Sequence, residues 1–122
     1  MAKHNDTGAW GEQIACERLV AEGYAIMERN WRMGHLEVDI IAMKDDSIVF
    51  AEVKTRTDIA DDPLSAVDMR KVRHLAAAAD AYLKSFDLHH VPRFDIFGIA
   101  GTPEDFRVEH LPDAFFPPLK TY

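Results

Sequence analysis

The chain has one cysteine, Cys16, and so cannot form an internal disulfide. That excludes the disulfide-stapled class of small secreted domains and removes any Cys-x-x-Cys zinc or redox motif. Long apolar runs are also missing. Nothing approaches the ~18 consecutive apolar residues of a membrane span, and Ala76–Ala79 is only a short patch inside a helical pattern. The opening MAKHNDTGAW lacks the apolar stretch of a signal peptide. There are no internal repeats, low-complexity tracts or linkers. The expectation is a cytoplasmic protein with no membrane partner. Positive charge is scarce as well, with 14 Lys and Arg against 21 Asp and Glu and a net charge of −7. A deficit of this kind counts against a nucleic-acid partner. It does not exclude one, because carboxylates that hold a cation are offset by it.

What is present describes an ordinary folded domain. The 122 residues are 48% hydrophobic and 29% charged, which suits one compact unit rather than a disordered chain. A chain of this size buries roughly 65–70% of its unfolded surface and needs no covalent staple. A single domain over residues 1–122 is expected, with its core at about 8–115 and a Pro-rich tail at 116–122. Basic residues gather at Arg29, Arg32, Lys54, Arg56, Arg70, Lys71 and Arg73, whereas the last third is acidic.

A first helix is expected to start near Asp6 or Thr7, either of which can cap it, and to stop at Gly23. A short β-prone run, Tyr24–Asn30, follows. Leu36–Met43 and Ser47–Thr55 read as strands around the polar turn Lys44-Asp45-Asp46-Ser47, with Val38, Ile40, Val49, Ala51 and Val53 apolar at period two. After the loop Arg56–Pro63, a second helix carries a stripe of Val72, Leu75, Ala76, Ala79, Tyr82 and Leu83, and Asp68 is its favoured cap. Strands near Arg93–Ile99 and Asp105–Leu111 complete the order αβββαββ, a mixed sheet with helices packed against it.

The chemistry concentrates on the two central strands. Alternation puts His35, Glu37 and Asp39 on one face of the first, and Glu52, Lys54 and Arg56 on one face of the second. A turn symmetric about Asp45 and Asp46 sets Asp39 opposite Glu52, Glu37 opposite Lys54 and His35 opposite Arg56. Two opposed carboxylates repel unless something positive lies between them. Mg²⁺ or Mn²⁺ suits that place, bound by Asp39 and Glu52 with the Val53 carbonyl as a third oxygen. Lys54 would then orient or deprotonate a water, or offset charge on a phosphoryl group. The bland alternative is an exposed ion-pair ladder worth tenths of a kcal/mol per pair. Against it stand the flanks, Ile40-Ile41 and Ile48-Val49-Phe50-Ala51, which mark strands covered on both faces, where idle carboxylates are costly. Glu12 falls with Gly8, Ala15, Cys16 and Leu19 on one side of the first helix. It either reaches the metal site or is a helix N-terminal acid favoured by the dipole.

These residues resemble a known family. Gly8-x-x-Gly11-Glu12, Arg29-Asn30-x-Arg32, Glu37-Val38-Asp39-Ile40-Ile41-Ala42 and Val49-Phe50-x-Glu52-Val53-Lys54-Thr55-Arg56 are similar to motifs of the YraN-like bacterial family. So are Val67, Lys71, Leu75, Ala79 and Tyr82-Leu83, then Arg93-Phe94-Asp95-Ile96 and His110-Leu111-x-Asp113-Ala114-Phe115. One departure is Leu36, where the family usually has Gly before the glutamate; here Gly34 lies two residues earlier. The YraN-like proteins are similar in turn to archaeal Holliday-junction resolvases of the restriction-endonuclease-like superfamily. The resemblance implies an α/β fold with an αβββαβ core, a mixed central sheet flanked by helices and one extra C-terminal strand. It implies a PD-(D/E)xK site with Asp39 as first acid, Glu52 as second, Lys54 as motif lysine and Glu12 as the helix glutamate. DNA, branched DNA included, would be the partner, Mg²⁺ or Mn²⁺ the cofactor, and a homodimer is allowed by analogy with resolvases.

Other candidates are weaker. No two of the six histidines have metal-ligand spacing beside a suitable acid, which argues against zinc. Cys16 sits on a face that should be packed. Gly8 and Gly11 lack the Gly-Lys-Ser/Thr ending of a phosphate loop, and close helix packing is the simpler reading. Arg32, Arg56 and Lys71 are candidate phosphate contacts. Trp10 and Trp31 read as core or interface residues. The expectation is thus a metal-dependent nuclease-type domain. The alternatives are a nucleic-acid-binding module that keeps the fold without catalysis, and an adaptor using the apolar tail from Phe115 to Leu119.

Overall fold

The computed structural model describes residues 4–62 and 69–114. The expected cap Asp68 and the tail 116–122 lie outside the described residues. Helix α1 is His4–Ala21, followed by β1 (Ala25–Met33), β2 (Leu36–Lys44), β3 (Ser47–Arg56), α2 (Met69–Ser85), β4 (Val91–Thr102) and β5 (Asp105–Leu111). The expected order αβββαββ holds. The five strands form one mixed sheet in the order β1-β2-β3-β4-β5. All neighbours are antiparallel except β3 and β4, which run parallel because α2 carries the chain back between them.

Helix α1 begins at His4, ahead of both Asp6 and Thr7. Neither residue breaks a helix, so a cap-forming side chain marks where a helix can start and not where it must. The other end follows its sequence signal. Gly23 adopts φ +95°, the Tyr24 N–H donates to the Leu19 carbonyl at 2.9 Å, and the Gly23 N–H donates to that of Val20 at 2.9 Å. This is a Schellman closure, with Tyr24 and Leu19 buried together in one core cluster.

Each face of the sheet is covered by one helix. Ala15, Cys16 and Leu19 of α1 pack on Ile40, Ala42, Val49, Ala51, Phe97 and Ile99. Leu75, Ala78, Ala79 and Tyr82 of α2 pack on Ile41, Ile48, Phe50 and Phe94. Double coverage explains why Ile48–Ala51 is a continuous apolar run and buried throughout. Cys16 is buried as expected, and burial pushes its thiol above the usual range.

The β2–β3 hairpin turns at Asp45 (φ +54°) and Asp46, and its ladder runs from Lys44–Ser47 to Ile40–Ala51 in the expected register. There it stops. β2 stays paired with β1 as far as Leu36, while β3 continues along β4 as far as Arg56. The pairs expected further along, Asp39–Glu52, Glu37–Lys54 and His35–Arg56, are not part of the ladder. The strands are captured by different neighbours and part. Val38, beyond the last shared rung, packs with Ile41 and Leu75 on the α2 side instead of with Ile40. Gly34, the glycine displaced from the family position, takes φ +63° in the β1–β2 turn.

Candidate functional site

The parting of β2 and β3 opens a cleft of about 540 Å³ lined by residues of both strands and of the N-terminal halves of both helices. Asp39 projects into the gap. Its Oδ2 accepts the Val53 N–H at 2.8 Å, meeting a backbone donor where the ladder has ended. Its carboxyl is pushed up to about 7 by burial and by the charge of Glu52, against the lowering effect of the Val53 hydrogen bond. Glu12 raises it a little further and Lys71 lowers it. Two like charges on a partly buried site produce this shift.

Glu52 lies on the opposite wall and is held by two ammonium groups. Lys71 Nζ is 2.9 Å from Glu52 Oε2, and Lys54 Nζ is 3.7 Å from the same oxygen. Lys54 is not among the residues lining the cleft and meets the site through Glu52; its side chain is 17% exposed. Its pKa is lowered, first by burial and then by the neighbouring Lys71. The pKa of Lys71 is raised, chiefly by its hydrogen bond to Glu52. The expected face-sharing of Glu52 and Lys54 therefore places them in contact, whereas the Val53 backbone meets Asp39 through its N–H.

Glu12 lines the cleft from α1. Its Oε1 accepts the Asn30 side-chain amide at 3.0 Å. Asn30 itself takes φ +54°, a conformation that asparagine tolerates better than most side chains. Gly11 stands where α1 crosses β3, and a Cβ there would lie 2.4 Å from Thr55 Cγ2. Close packing thus accounts for Gly11 but not for Gly8, which has open space around it and lines the cleft. Glu37 lines the cleft and pairs with Arg32 at 3.4 Å, both largely exposed, and Arg56 Nη1 donates to the carbonyl of Thr55, while neither arginine is among the lining residues. Arg70 joins Lys71 in the lining from the N-terminal turn of α2, whose dipole favours anions.

Two features of the structure, the His35–His74 contact and the burial of Asp95, were not foreseen from sequence. His74 Nε2 lies 3.1 Å from the His35 carbonyl, the two rings are 5.6 Å apart, and both residues line the cleft. The position of His74, three residues after Lys71 on α2, was the available signal. Away from the cleft, Asp95 is fully buried beneath Arg93 and His110. Trp10 packs edge-on against Phe106 and Trp31 against Tyr82, which fits structural roles for both.

Among the described residues no three His, Cys, Asp or Glu side chains converge as a cage for a metal. No described helix is long and apolar enough to cross a membrane.

Fold and site together define an α/β protein with a mixed five-stranded sheet between two helices and an acid–lysine cleft where its central strands part. The profile of Uncharacterised protein family UPF0102 matches residues 11–99. The chain is 45% identical over 120 residues to a UPF0102 protein of Bacteroides thetaiotaomicron, covering 98% of this chain and 99% of that one. A UPF0102 protein of Bacteroides fragilis is 46% identical over 121 residues, with 98% and 99% covered. One of Flavobacterium psychrophilum is 41% identical over 117 residues, with 95% and 98% covered. The chain belongs to the UPF0102 family.

Proposed function

We propose that the cleft is a divalent-metal-dependent nuclease site that binds DNA, branched DNA among its substrates, and hydrolyses a phosphodiester. The observation that carries this reading is the opposition of Asp39 and Glu52 across the opening between β2 and β3, with Lys54 against Glu52. The raised pKa of Asp39 supports it, because a site that penalises its own negative charge is one a cation would relieve. The donors suit Mg²⁺ or Mn²⁺. Both ions take hard oxygen ligands, and Mg²⁺ commonly keeps several waters beside one or two carboxylates. Four carboxylates line the cleft, Glu12, Glu37, Asp39 and Glu52, and among the described residues no three acids or histidines converge as a cage.

Asp39 and Glu52 would hold the ion, with Val53 and Glu12, which also line the cleft, as further oxygen donors. Bound there, the ion would polarise a phosphoryl oxygen and make water a better nucleophile. Lys54, with its lowered pKa, would take or hold a proton of the attacking water, or balance charge on the phosphoryl group. Arg32, Arg56 and Lys71 would hold flanking phosphates. Lys71 and Arg70 lie where the α2 N-terminus already favours an anion.

One observation favours a second reading, a nucleic-acid-binding module without catalysis: Lys71 already gives Glu52 a cationic partner at 2.9 Å. Calorimetric titration with Mn²⁺ and a cleavage panel of linear and branched DNA separate the two. The nuclease reading expects one Mn²⁺ site that Asp39→Ala abolishes, and metal-dependent cutting of at least one substrate. Salt-sensitive DNA binding with neither metal uptake nor cutting leaves only the binding module. Absence of all three removes both.

A further inference from the structure

Glu52 is served by two lysines that differ in their freedom. Lys54 comes from the same strand two residues on, and its side chain is 17% exposed. Lys71 reaches across from α2, its side chain is 47% exposed, and it makes the closer contact, 2.9 Å against 3.7 Å. Both address the same oxygen, Oε2. The Glu52 side chain is only 18% exposed, so leaving it without a cation would be costly. A divalent cation arriving at that oxygen is repelled most strongly by the ammonium in the closer contact, that of Lys71.

We propose that Lys71 is a resident counter-ion of the acidic pair, which a divalent cation entering between Asp39 and Glu52 displaces from Glu52 Oε2. This rests on the metal-site reading above and adds a competition to it. Lys54 remains in place, and Lys71 swings outward into the cleft that its helix already lines. The protein therefore resists metal loading by the strength of one partly exposed ion pair. Its own lysine keeps the acidic pair neutralised in the meantime.

The test is a Mn²⁺ titration by calorimetry of wild type, Lys71→Met, Arg73→Met and Asp39→Ala, without nucleic acid. Arg73→Met removes the same charge from the same helix, at an exposed residue that does not line the cleft. Lys71→Met should bind Mn²⁺ about fivefold more tightly than wild type, Arg73→Met should change affinity by less than about twofold, and Asp39→Ala should not bind. Binding by Lys71→Met alone, with wild type silent, is the same result in a stronger form. If wild type binds, Asp39→Ala does not, and Lys71→Met is equal to or weaker than wild type, the competition is overturned while the metal site stands. Equal tightening by Arg73→Met overturns it too, because overall charge then explains the effect. If neither wild type nor Lys71→Met binds, the metal site itself falls and the competition with it. Lys71→Gln, which keeps a donor without the charge, replaces Lys71→Met if that variant does not fold as judged by thermal melting.

Discussion

The Asp39 carboxylate accepts the Val53 N–H at 2.8 Å at the point where β2 and β3 part. Two central strands that separate inside a sheet leave backbone groups without strand partners, and a side chain must meet them. An aspartate does so here at some cost. Its acceptor anchors the opening, while burial and Glu52 push its pKa up to about 7. The same residue caps the end of the broken ladder and carries the cost of a second carboxylate beside it.

Asp39 should therefore make the metal-free protein less stable as pH rises. A carboxyl whose folded pKa lies above its unfolded one contributes stability that is complete below the unfolded pKa and lost as pH rises through the folded one. With about 7 against 3.8, the window runs between those values. The full linkage is about 4 kcal/mol, and residual solvent contact reduces it to about 2 kcal/mol. Asp39→Asn keeps an acceptor for the Val53 N–H and removes the charge. Urea unfolding should find it about 2 kcal/mol more stable than wild type at pH 8, with the two curves meeting near pH 4. Equal stabilities at pH 8 would show that the carboxyl carries no such strain.

Lys54 should separate activity from stability. Its side chain is largely covered, and Glu52 keeps the closer Lys71 as partner when Lys54 is replaced. Lys54→Met fills the same space, so unfolding free energy should change by less than about 1.5 kcal/mol. On the proposed mechanism, cleavage of branched DNA should fall by about 10²-fold or more, while Mn²⁺ binding persists. Unchanged cutting by a folded Lys54→Met protein would remove this residue from the chemistry.

Gly11 supplies a test of how α1 is seated. A Cβ there meets Thr55 Cγ2 at 2.4 Å, while the next atoms, Thr55 Cβ and Val53 Cγ1, are at 3.6 Å. The obstacle is one methyl group. Gly11→Ala should destabilise by about 1–3 kcal/mol through overpacking, and Thr55→Ser in the same chain should restore most of that loss. A double-mutant cycle gives the coupling directly. Purely additive effects would mean that the helix shifts instead of pressing on Thr55.

These relationships differ in how far the sequence foretold them. The β2–β3 register was legible, because the two-residue turn at Asp45–Asp46 sets every rung near it, and Ile40–Ala51 lies where that rule puts it. The parting beyond Ile40 was not legible. It depends on which edges β1 and β4 capture, and no turn encodes that. Glu12 could be placed on the inward side of α1 by helical period, yet its partner Asn30 is 18 residues away on another strand. From sequence Lys71 was either part of a solvated first turn or a phosphate contact, in a place where the helix dipole disfavours cations. Its contact with Glu52 exists only once α2 has docked on the sheet. Asp6 and Thr7, both inside α1, show the limit of capping signals, which name candidates without ranking them.

Asp95 carried no role beyond its place in the motif Arg93-Phe94-Asp95-Ile96 for a related reason: Arg93-x-Asp95 is a common exposed spacing on a strand, and only the tertiary fold buries it. Here the aspartate is 0% exposed and fully engaged. Arg93 donates Nε and Nη2 to its two oxygens at 2.9 Å each, His110 Nε2 lies 2.7 Å from Oδ2, and the Asp113 N–H donates to Oδ1 at 3.0 Å. The carboxylate thus ties β4 to β5 and to the turn after it, and His110 stacks on Phe97 with ring centroids 4.0 Å apart. Removing the acid leaves a guanidinium without its partner, a backbone donor without an acceptor, and a cavity. Asp95→Ala should cost about 3–5 kcal/mol, read as a drop in urea midpoint with little change in slope. Arg93→Met with Asp95→Leu removes both charges and should recover much of that loss. The network lies away from the cleft, so the double variant should still bind Mn²⁺ if the Asp39–Glu52 pair does so in wild type. Loss of that binding in a folded double variant would show that the buried pair shapes the cleft through β4 and β3.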